Sequence, residues 1–380
     1  MRNRHAPPSL LLLAILASAC ATIAAEGHGD VDLPNADSGP FRSLKRAEVC
    51  TGDVCVGVNE LPAGTADGVP KYPGSPPSRT PSALSRSKGD GDLRVVLYAA
   101  RDLEKGKPAR IARFEAADAR TFDDVSEVLT ADRPQEAGNL GDPYAIDADG
   151  AVWLYLSIRP VAGAVGQTPG IVRARSSDGP AGRAFTKDDG LALSVDGPKG
   201  AWETEPPRAP AVVRLDDGSF RMLYASGNAI GEATSPDGAR FTRLDGDPST
   251  PELDPVIVPS APVDIAALPE GVKPPFDDLA VDDPTIDRAL SPAGRLVWRV
   301  HYTGLDRRGG AAIGFAGRFG DAGVFERLPG FVFGAKLHAR APTVVRFASF
   351  SLLYDDQDID TARGIGISIA PSSRKLPIAE

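Results

Sequence analysis

The segment from Ala209 to Phe241 decides the fold, and it reads APAVVRLDDGSFRMLYASGNAIGEATSPDGARF. Short runs of strand-forming residues alternate with the turn sequences DDG and PDG, which predicts four short strands joined by tight turns. A proline occupies the second position, where the first strand begins. A unit of this kind is typical of one antiparallel blade in an all-β protein.

The same unit recurs along the chain, and each copy begins at a proline. The five anchor prolines are Pro81, Pro143, Pro210, Pro284 and Pro342, and successive ones lie 58 to 74 residues apart. Each blade buries its faces against its two neighbours, and closing the ring removes the exposed ends. The sequence therefore predicts an all-β, five-bladed β-propeller of four-stranded antiparallel blades over residues 80–380. A two-sheet sandwich is the alternative, although it does not require a fivefold repeat.

The N-terminus carries a signal for export. Arg2 and Arg4 precede an apolar run over residues 10–17 that is too short to span a bilayer, so residues 1–19 are predicted to be a secretory signal peptide. The following Ala-Ser-Ala-Cys sequence resembles a bacterial lipobox, in which Cys20 is lipidated, and simple cleavage near Ala19 or Ala25 is the alternative. We expect the protein in the bacterial cell envelope, periplasmic or at the cell surface, touching the membrane only through this anchor.

Residues 20–79 are expected to form a tether, because they are rich in small and polar residues, proline and glycine. Within this region Cys50 and Cys55 flank a turn-like segment, which predicts a small hairpin. In an oxidising compartment the two cysteines are expected to form a disulfide, and a metal or redox site is the alternative.

Composition excludes one class of partner. The net charge is -9, and it becomes -11 once residues 1–19, which hold two arginines and no acid, are removed. A protein this acidic is not expected to bind nucleic acid. Glycine and proline together make up 75 of 380 residues, which agrees with a turn-rich fold.

The innermost strands of a propeller converge on its axis, so the residues just before the anchor prolines should ring one mouth of the channel. We take this mouth as the candidate site. In chain order the ring is Thr80, Asp142, Ala209, Asp283 and Ala341, with Arg208 and Arg340 one step earlier in the third and fifth units.

The sequences DPYAIDADGAVWLY at residues 142–155 and IGEATSPDG at residues 230–238 are characteristic of one blade type. They resemble sequences of glycoside hydrolase family 43 and its five-bladed relatives, the arabinanase, levansucrase and invertase-like enzymes. The similarity covers residues 80 to about 370. It implies a monomeric protein with a glycan or other small carbohydrate as its partner, bound at the mouth of the channel.

Enzymes of this family use an Asp base before the first-blade proline, an orienting Asp in the second blade and a Glu acid ahead of the third-blade proline. Asp142 matches the second role, whereas Thr80 occupies the first position and Arg208 stands near the third. The resemblance therefore implies an incomplete catalytic set and a protein that binds glycans with catalysis reduced or lost.

Two other functions remain open. Inverting hydrolysis needs one protonated and one ionised carboxyl group across the sugar. An active glycoside hydrolase would have to use displaced carboxyl groups, with Glu203 or Glu205 as the acid and Asp142, Asp282 or Asp283 as the second group. A non-catalytic scaffold protein of the envelope is the third possibility, in which these acids are solvated or cap turns.

The remaining candidates are basic. Arg208 and Arg340 belong to repeated Arg-Ala-Pro phrases, and they either bind an acidic sugar or pair with neighbouring aspartates to hold the ring together. The resemblance places His338 near a cation on the axis, which would be Ca²⁺, so His338 is a candidate metal or substrate ligand or else a hydrogen-bonded loop histidine. His301 lies between Trp298 and Tyr302 on a strand and is predicted to pack in the core.

Overall fold

The computed structural model describes residues 42–46, 48–51, 54–57, 78–88, 92–101, 107–119, 121–270, 272–290, 296–328, 330–347, 350–359 and 362–371. These ranges contain β-strands and three single turns of 3-10 helix, at Pro134–Glu136, Gly179–Ala181 and Ile265–Ala267. Over the same ranges no helix is long and apolar enough to cross a membrane. The predicted signal peptide and Cys20 lie outside the described residues.

Three short strands precede the repeats: β1 (Arg42–Arg46), β2 (Glu48–Thr51) and β3 (Val54–Gly57). The first blade consists of β4 (Ser78–Ser85), β5 (Val95–Arg101), β6 (Arg110–Ala116) and β7 (Thr121–Thr130). The second consists of β8 (Leu140–Ala148), β9 (Ala151–Ile158), β10 (Gly170–Ser176) and β11 (Phe185–Ser194).

The third blade consists of β12 (Arg208–Arg214), β13 (Phe220–Ser226), β14 (Ala229–Ser235) and β15 (Thr242–Leu244). The fourth consists of β16 (Ala280–Leu290), β17 (Leu296–Leu305), β18 (Ala311–Phe319) and β19 (Glu326–Arg327). The fifth takes three strands from the last unit, β20 (Arg340–Arg346), β21 (Phe350–Ile359) and β22 (Ala362–Pro371). The predicted five-bladed, antiparallel all-β propeller is confirmed.

The fifth blade is completed by the N-terminal strand β1, which pairs antiparallel with β22. The alternation of apolar residues does not reveal this closure, because β1 lies far from the last repeat in the sequence. The hairpin β2–β3 instead extends the first blade, through a short parallel pairing of β2 with β7. Cys50 stands directly opposite Cys55 in that hairpin, a register with the Cα spacing that a disulfide needs. The disulfide itself stays a prediction.

The core is divided among the five interfaces between blades. Five clusters of buried apolar residues each join two successive blades, and one of them joins the fifth blade to the first. A representative pair from each interface, beginning between the fifth and first blades, is Ile367 and Leu97, Tyr98 and Leu154, Trp153 and Phe220, Leu223 and Trp298, Ile313 and Leu353. Since these apolar clusters join each blade to its two neighbours, burial of all five interfaces requires a closed ring.

A repeated tyrosine also links successive blades. Its hydroxyl donates to a carbonyl in an outer turn of the next blade, in three bonds: Tyr98 to Gly182, Tyr155 to Gly238 and Tyr354 to Ala119. Leu223 and His301 occupy the equivalent position in the third and fourth blades. His301 is 1% exposed and meets the ring of Phe315 edge-on, so its predicted packing role is confirmed.

A second repeated feature fixes the loop that leads into each inner strand. In three blades a buried acid six residues before the ring position pairs with a basic residue on the outermost strand. The pairs are Glu136 with Lys187, Glu203 with Arg243 and Asp277 with Arg327. These ion pairs clamp the entry loops, so they set where the mouth residues begin.

Candidate functional site

The five ring residues share an unusual backbone conformation. Thr80, Asp142, Ala209, Asp283 and Ala341 all have φ between 43° and 50°. At each of them the strand register shifts, so that the residue and its proline bulge from the ladder. A non-glycine residue in this left-handed region costs about 1–2 kcal/mol. Thr80 shares both features, which establishes that it occupies the first-blade position.

Hydrogen bonds between blades hold this strained ring in place. Three ring residues donate their backbone N–H to a side chain on the second strand of the preceding blade. These are Thr80 to Asp356 Oδ2 at 3.0 Å, Ala209 to Ser157 Oγ at 2.8 Å and Ala341 to Thr303 Oγ1 at 2.8 Å. The bulges therefore direct these backbone N–H groups toward the preceding blade. The side chains of the ring residues are left to line the mouth.

Two cavities lie on the axis, and Tyr144 borders both. The first, about 30 Å³, is lined by Tyr144 together with the five ring residues and their prolines. The second, about 490 Å³, lies further along the inner strands. The Tyr144 hydroxyl donates across the axis to the Ile286 carbonyl at 3.1 Å, joining the second blade to the fourth. The mouth is therefore a shallow depression that Tyr144 separates from the channel.

Asp142, predicted as an orienting or catalytic carboxylate, is held by Arg159 at the end of β9. The Arg159 Nε lies 2.9 Å from Asp142 Oδ2, and Nη2 donates to Oδ1. Burial alone would raise the pKa of Asp142, but the charge and hydrogen bonds of Arg159 outweigh it and hold the pKa below its usual range. Asp142 is therefore ionised, with both oxygens engaged.

Asp283 is in the opposite electrostatic state. Its Oδ2 accepts a hydrogen bond from Thr303 Oγ1 at 3.1 Å. Burial, followed by the negative charges of Asp282 and Asp142, raises the pKa of Asp283 to about 8. The mouth therefore holds one ionised and one largely protonated carboxyl group at neutral pH, an arrangement found in acid–base catalysis.

Arg208 and Glu205 lie at the mouth and contact each other. The Arg208 Nη2 donates to Asp282 Oδ2 at 2.7 Å across the boundary between the third and fourth blades, and Nη1 lies 3.1 Å from Glu205 Oε2. The Glu205 side chain is 58% exposed. Arg208 thus makes the ring-holding ion pair that was one of its two predicted roles.

Glu203, the other acid considered for catalysis, points away from the mouth. It is 4% exposed, and both of its oxygens accept hydrogen bonds from Arg243 Nε, at 2.8 and 2.9 Å. This ion pair is equivalent to Glu136–Lys187 in the second blade and Asp277–Arg327 in the fourth. The hypothesis that Glu203 swings into the mouth is therefore wrong, because moving it would leave Arg243 buried without its partner.

The mouth does not fit the predicted Ca²⁺ ion. Ca²⁺ prefers six to eight oxygen ligands, several of them carboxylates. The ring supplies only Asp142 and Asp283, and both oxygens of Asp142 are bound to Arg159. His338 lies in the turn before β20, with φ of 48°. Among the described residues, no group of three or more His, Cys, Asp or Glu side chains is arranged to hold a metal ion.

Two residues of the mouth were missed by the sequence reasoning. Arg79 stands two residues before Pro81, the position that Arg208 and Arg340 occupy in their blades, so the repeated Arg-X-Pro phrase contained its signal. Arg159 has no such signal, because it reaches Asp142 only through the strand register. Gly141 leaves the room for it: a Cβ atom there would lie 3.3 Å from Arg159 Nε.

No protein-family model and no curated protein sequence matches this chain. Several solved structures are similar to it. One is a family 117 glycoside hydrolase from the marine bacterium Zobellia galactanivorans, 14% identical with a TM-score of 0.53, covering 87% of this chain and 90% of that one. Another is a protein described as a glycoside hydrolase, 16% identical with a TM-score of 0.51 and coverages of 80% and 93%.

A third is an exo-1,5-α-L-arabinanase from a bovine ruminal metagenomic library, 10% identical with a TM-score of 0.50, covering 78% of this chain and 94% of that one. At such low identity the likeness concerns the fold and not the activity. The chain therefore has the fold of the five-bladed glycoside hydrolases, as the sequence resemblance predicted.

Proposed function

We propose that this protein is an exported, lipid-anchored propeller that binds glycans at the mouth of its channel without hydrolysing them. The observation that carries the proposal is the ion pair between Asp142 and Arg159. A general base must accept a proton from water, but the Asp142 side chain is 3% exposed and both its oxygens already accept hydrogen bonds from Arg159.

The binding half of the proposal is supported by the polar groups that remain accessible. The Arg159 side chain is 41% exposed and the Arg208 side chain 21% exposed, both at the rim of the depression. Guanidinium groups offer several donors in a fixed plane, which suits the hydroxyl and ring oxygens of a sugar. The depression is open rather than enclosed, which favours recognition of a chain end or a chain surface.

One observation favours a second candidate, an active glycoside hydrolase with displaced carboxyl groups. The pKa of Asp283, raised to about 8 by burial and nearby carboxylates, suits a general acid at neutral pH. The exposed Glu205 would then have to act as the base, away from its pairing with Arg208. This candidate needs a rearrangement, so it ranks second.

A single screen separates these functions. The purified mature domain is tested for turnover and for binding with arabinan, xylan, fructan and uronic-acid oligosaccharides. Binding that is weakened by Arg208→Ala but not by Arg214→Ala, on the same strand beyond the mouth, supports the proposal. Turnover abolished by Asp283→Asn or Glu205→Gln establishes the hydrolase instead. If the domain shows no turnover and no binding, the glycan-binding and the hydrolase functions are both contradicted, and the envelope scaffold remains.

Export and anchoring are tested separately. The proposal expects fractionated cells to hold the protein in the membrane fraction and to label it with a lipid precursor. Cys20→Ser should abolish the labelling and release the protein from the membrane. Labelling that persists in this variant would contradict the anchor.

A further inference from the structure

Asp283 is the ring residue whose side chain keeps a polar atom for a ligand. Two of the five ring residues are alanines, and both oxygens of Asp142 accept hydrogen bonds from Arg159. The hydroxyl oxygen of Thr80 is buried away from solvent. Asp283 lines the same cavity of about 30 Å³, and its Oδ1 has no hydrogen-bond partner among the described residues and is not sealed from solvent. A ligand at the mouth can therefore reach Asp283 Oδ1.

A chain of hydrogen bonds fixes which Asp283 oxygen carries a proton when the carboxyl group is neutral. The Ala341 backbone N–H donates to Thr303 Oγ1 at 2.8 Å, and Thr303 Oγ1 donates its one proton to Asp283 Oδ2 at 3.1 Å. Thr303 is 1% exposed, so its hydroxyl proton cannot turn to water instead. Oδ2 is therefore the acceptor of this carboxyl group, and the proton belongs on Oδ1.

The other aspartates at the mouth have arginine partners, whereas Asp283 does not. Arg208 Nη2 lies 2.7 Å from Asp282 Oδ2, and Arg159 holds Asp142. No ion pair joins Asp283 to a basic residue that the structure describes. Burial and the negative charges of Asp282 and Asp142 raise the pKa of Asp283 to about 8, so its Oδ1 carries a proton at pH 7.

The remaining strands packed against β16 do not supply Asp283 with a counter-charge. β13 and β14 reach the mouth at Ser226 and Ala229, which are uncharged. His301 on β17 is neutral, because burial lowers its pKa to about 3. Arg340 stands at the mouth end of β20, and a carboxylate of its own blade, Asp356, lies opposite it in the strand register.

We propose that Asp283 is a ligand-binding residue whose protonated carboxyl group donates a hydrogen bond from Oδ1 to an oxygen of the glycan that carries no proton, such as a ring or linkage oxygen. This inference rests on the glycan-binding function proposed above. The exposed guanidinium groups of Arg159 and Arg208 at the rim are also donors, so the mouth matches the acceptor oxygens of a sugar. An ionised Asp283 would have no proton to donate and would repel such an oxygen.

The test measures how affinity depends on pH. Arabinan, xylan and fructan oligosaccharides are titrated into the purified mature domain between pH 6 and pH 9, by calorimetry. We expect the wild type to lose about five- to tenfold in affinity between pH 7 and pH 9, because the protonated form disappears over this range. Asp283→Asn keeps an N–H donor in place of the Oδ1 proton, so its affinity should stay constant. Asp283→Ala should bind about fivefold more weakly than the wild type at pH 7.

The control is Asp216→Asn, which removes a carboxylate that is 95% exposed and lies beyond the mouth. This variant should keep the pH profile of the wild type. A second readout needs no variant: calorimetry in two buffers of different ionisation enthalpy should show that the wild type takes up about half a proton per site on binding at pH 8.

The outcomes separate the inference from the function on which it rests. Wild-type binding that is constant from pH 7 to pH 9 and takes up no proton overturns the role of Asp283 and leaves glycan binding intact. A loss of affinity at high pH that persists in Asp283→Asn overturns it as well, because another group then titrates. If the wild type binds no oligosaccharide at any pH, glycan binding fails and the inference fails with it.

Discussion

Arg159 and Asp142 form a two-point ion pair at the mouth of the channel, with the Arg159 Nε 2.9 Å from Asp142 Oδ2 and Nη2 bound to Oδ1. The carboxylate side chain is 3% exposed, whereas the arginine is 41% exposed. The Asp142 carboxylate therefore lies beneath the Arg159 guanidinium group that it binds. What the mouth presents to solvent at this point is a guanidinium group and not a carboxylate.

Arg159→Gln should lower the free energy of unfolding by about 2–4 kcal/mol at pH 7, because it leaves the Asp142 charge buried without its partner. The loss should be measured by denaturant unfolding as a function of pH. The depressed pKa of Asp142 contributes stability that is present above the unfolded pKa of 3.8 and disappears as pH falls through the lower folded value. The variant and the wild type should therefore converge in acid.

Arg214→Gln is the matched control for that change. Arg214 has the same 41% side-chain exposure and also pairs with an aspartate, Asp149, but that partner is 57% exposed. An exposed pair contributes at most about 1 kcal/mol. Equal losses in the two variants would show that Asp142 does not depend on Arg159.

Glu203 and Glu205, two residues apart, should respond very differently to removal. Glu203→Ala should destabilise the fold by about 3–5 kcal/mol, because Arg243 then stays buried without a counter-charge. Glu205→Ala should change stability by less than about 1 kcal/mol, because the acid is 58% exposed. Thermal and denaturant unfolding of the two variants check this. A larger loss in Glu205→Ala than in Glu203→Ala would mean that the buried Glu203–Arg243 pair does not stabilise the blade.

Asp283→Asn should stabilise the protein, and the gain should grow with pH. The wild-type carboxyl group has a pKa of about 8 in the fold and 3.8 in the unfolded chain, so its protonated form contributes stability that is lost as pH rises from about 4 to 8. Asparagine cannot ionise and avoids this loss. Melting curves should diverge by several degrees between pH 5 and pH 9, and a constant difference would contradict the raised pKa.

The strained ring predicts an unusual response to glycine. Ala209 has φ of 46°, which glycine adopts without steric cost, so Ala209→Gly should be neutral or stabilising by up to about 1 kcal/mol. Ala225, fully buried in the interior of β13, is the control, and Ala225→Gly should destabilise by about 1 kcal/mol or more. The two variants are compared by denaturant unfolding, and a large loss in Ala209→Gly would mean that the bulge carries no strain.

The repeat made the fold and the ring predictable, because proline and tight turns act locally. Pro210 and the turns DDG and PDG mark one blade, and the other units follow the same pattern. The closing strand β1 was not predictable, because its pairing with β22 joins opposite ends of the repeat region. Arg159 was missed for a different reason: it lies only 17 residues from Asp142, but it reaches that carboxylate through the strand register, which spacing along the chain does not show.

By itself the sequence determined the class, the number of blades and which five residues stand directly before the anchor prolines. These properties depend on residues that are close together in the chain, so they can be read from spacing and turn chemistry. Only the tertiary structure decided which charges meet: Arg159 with Asp142, and Arg208 with Asp282. Ion pairing and the pKa of a carboxyl group depend on distance and burial in three dimensions, and both are set by the closure of the ring.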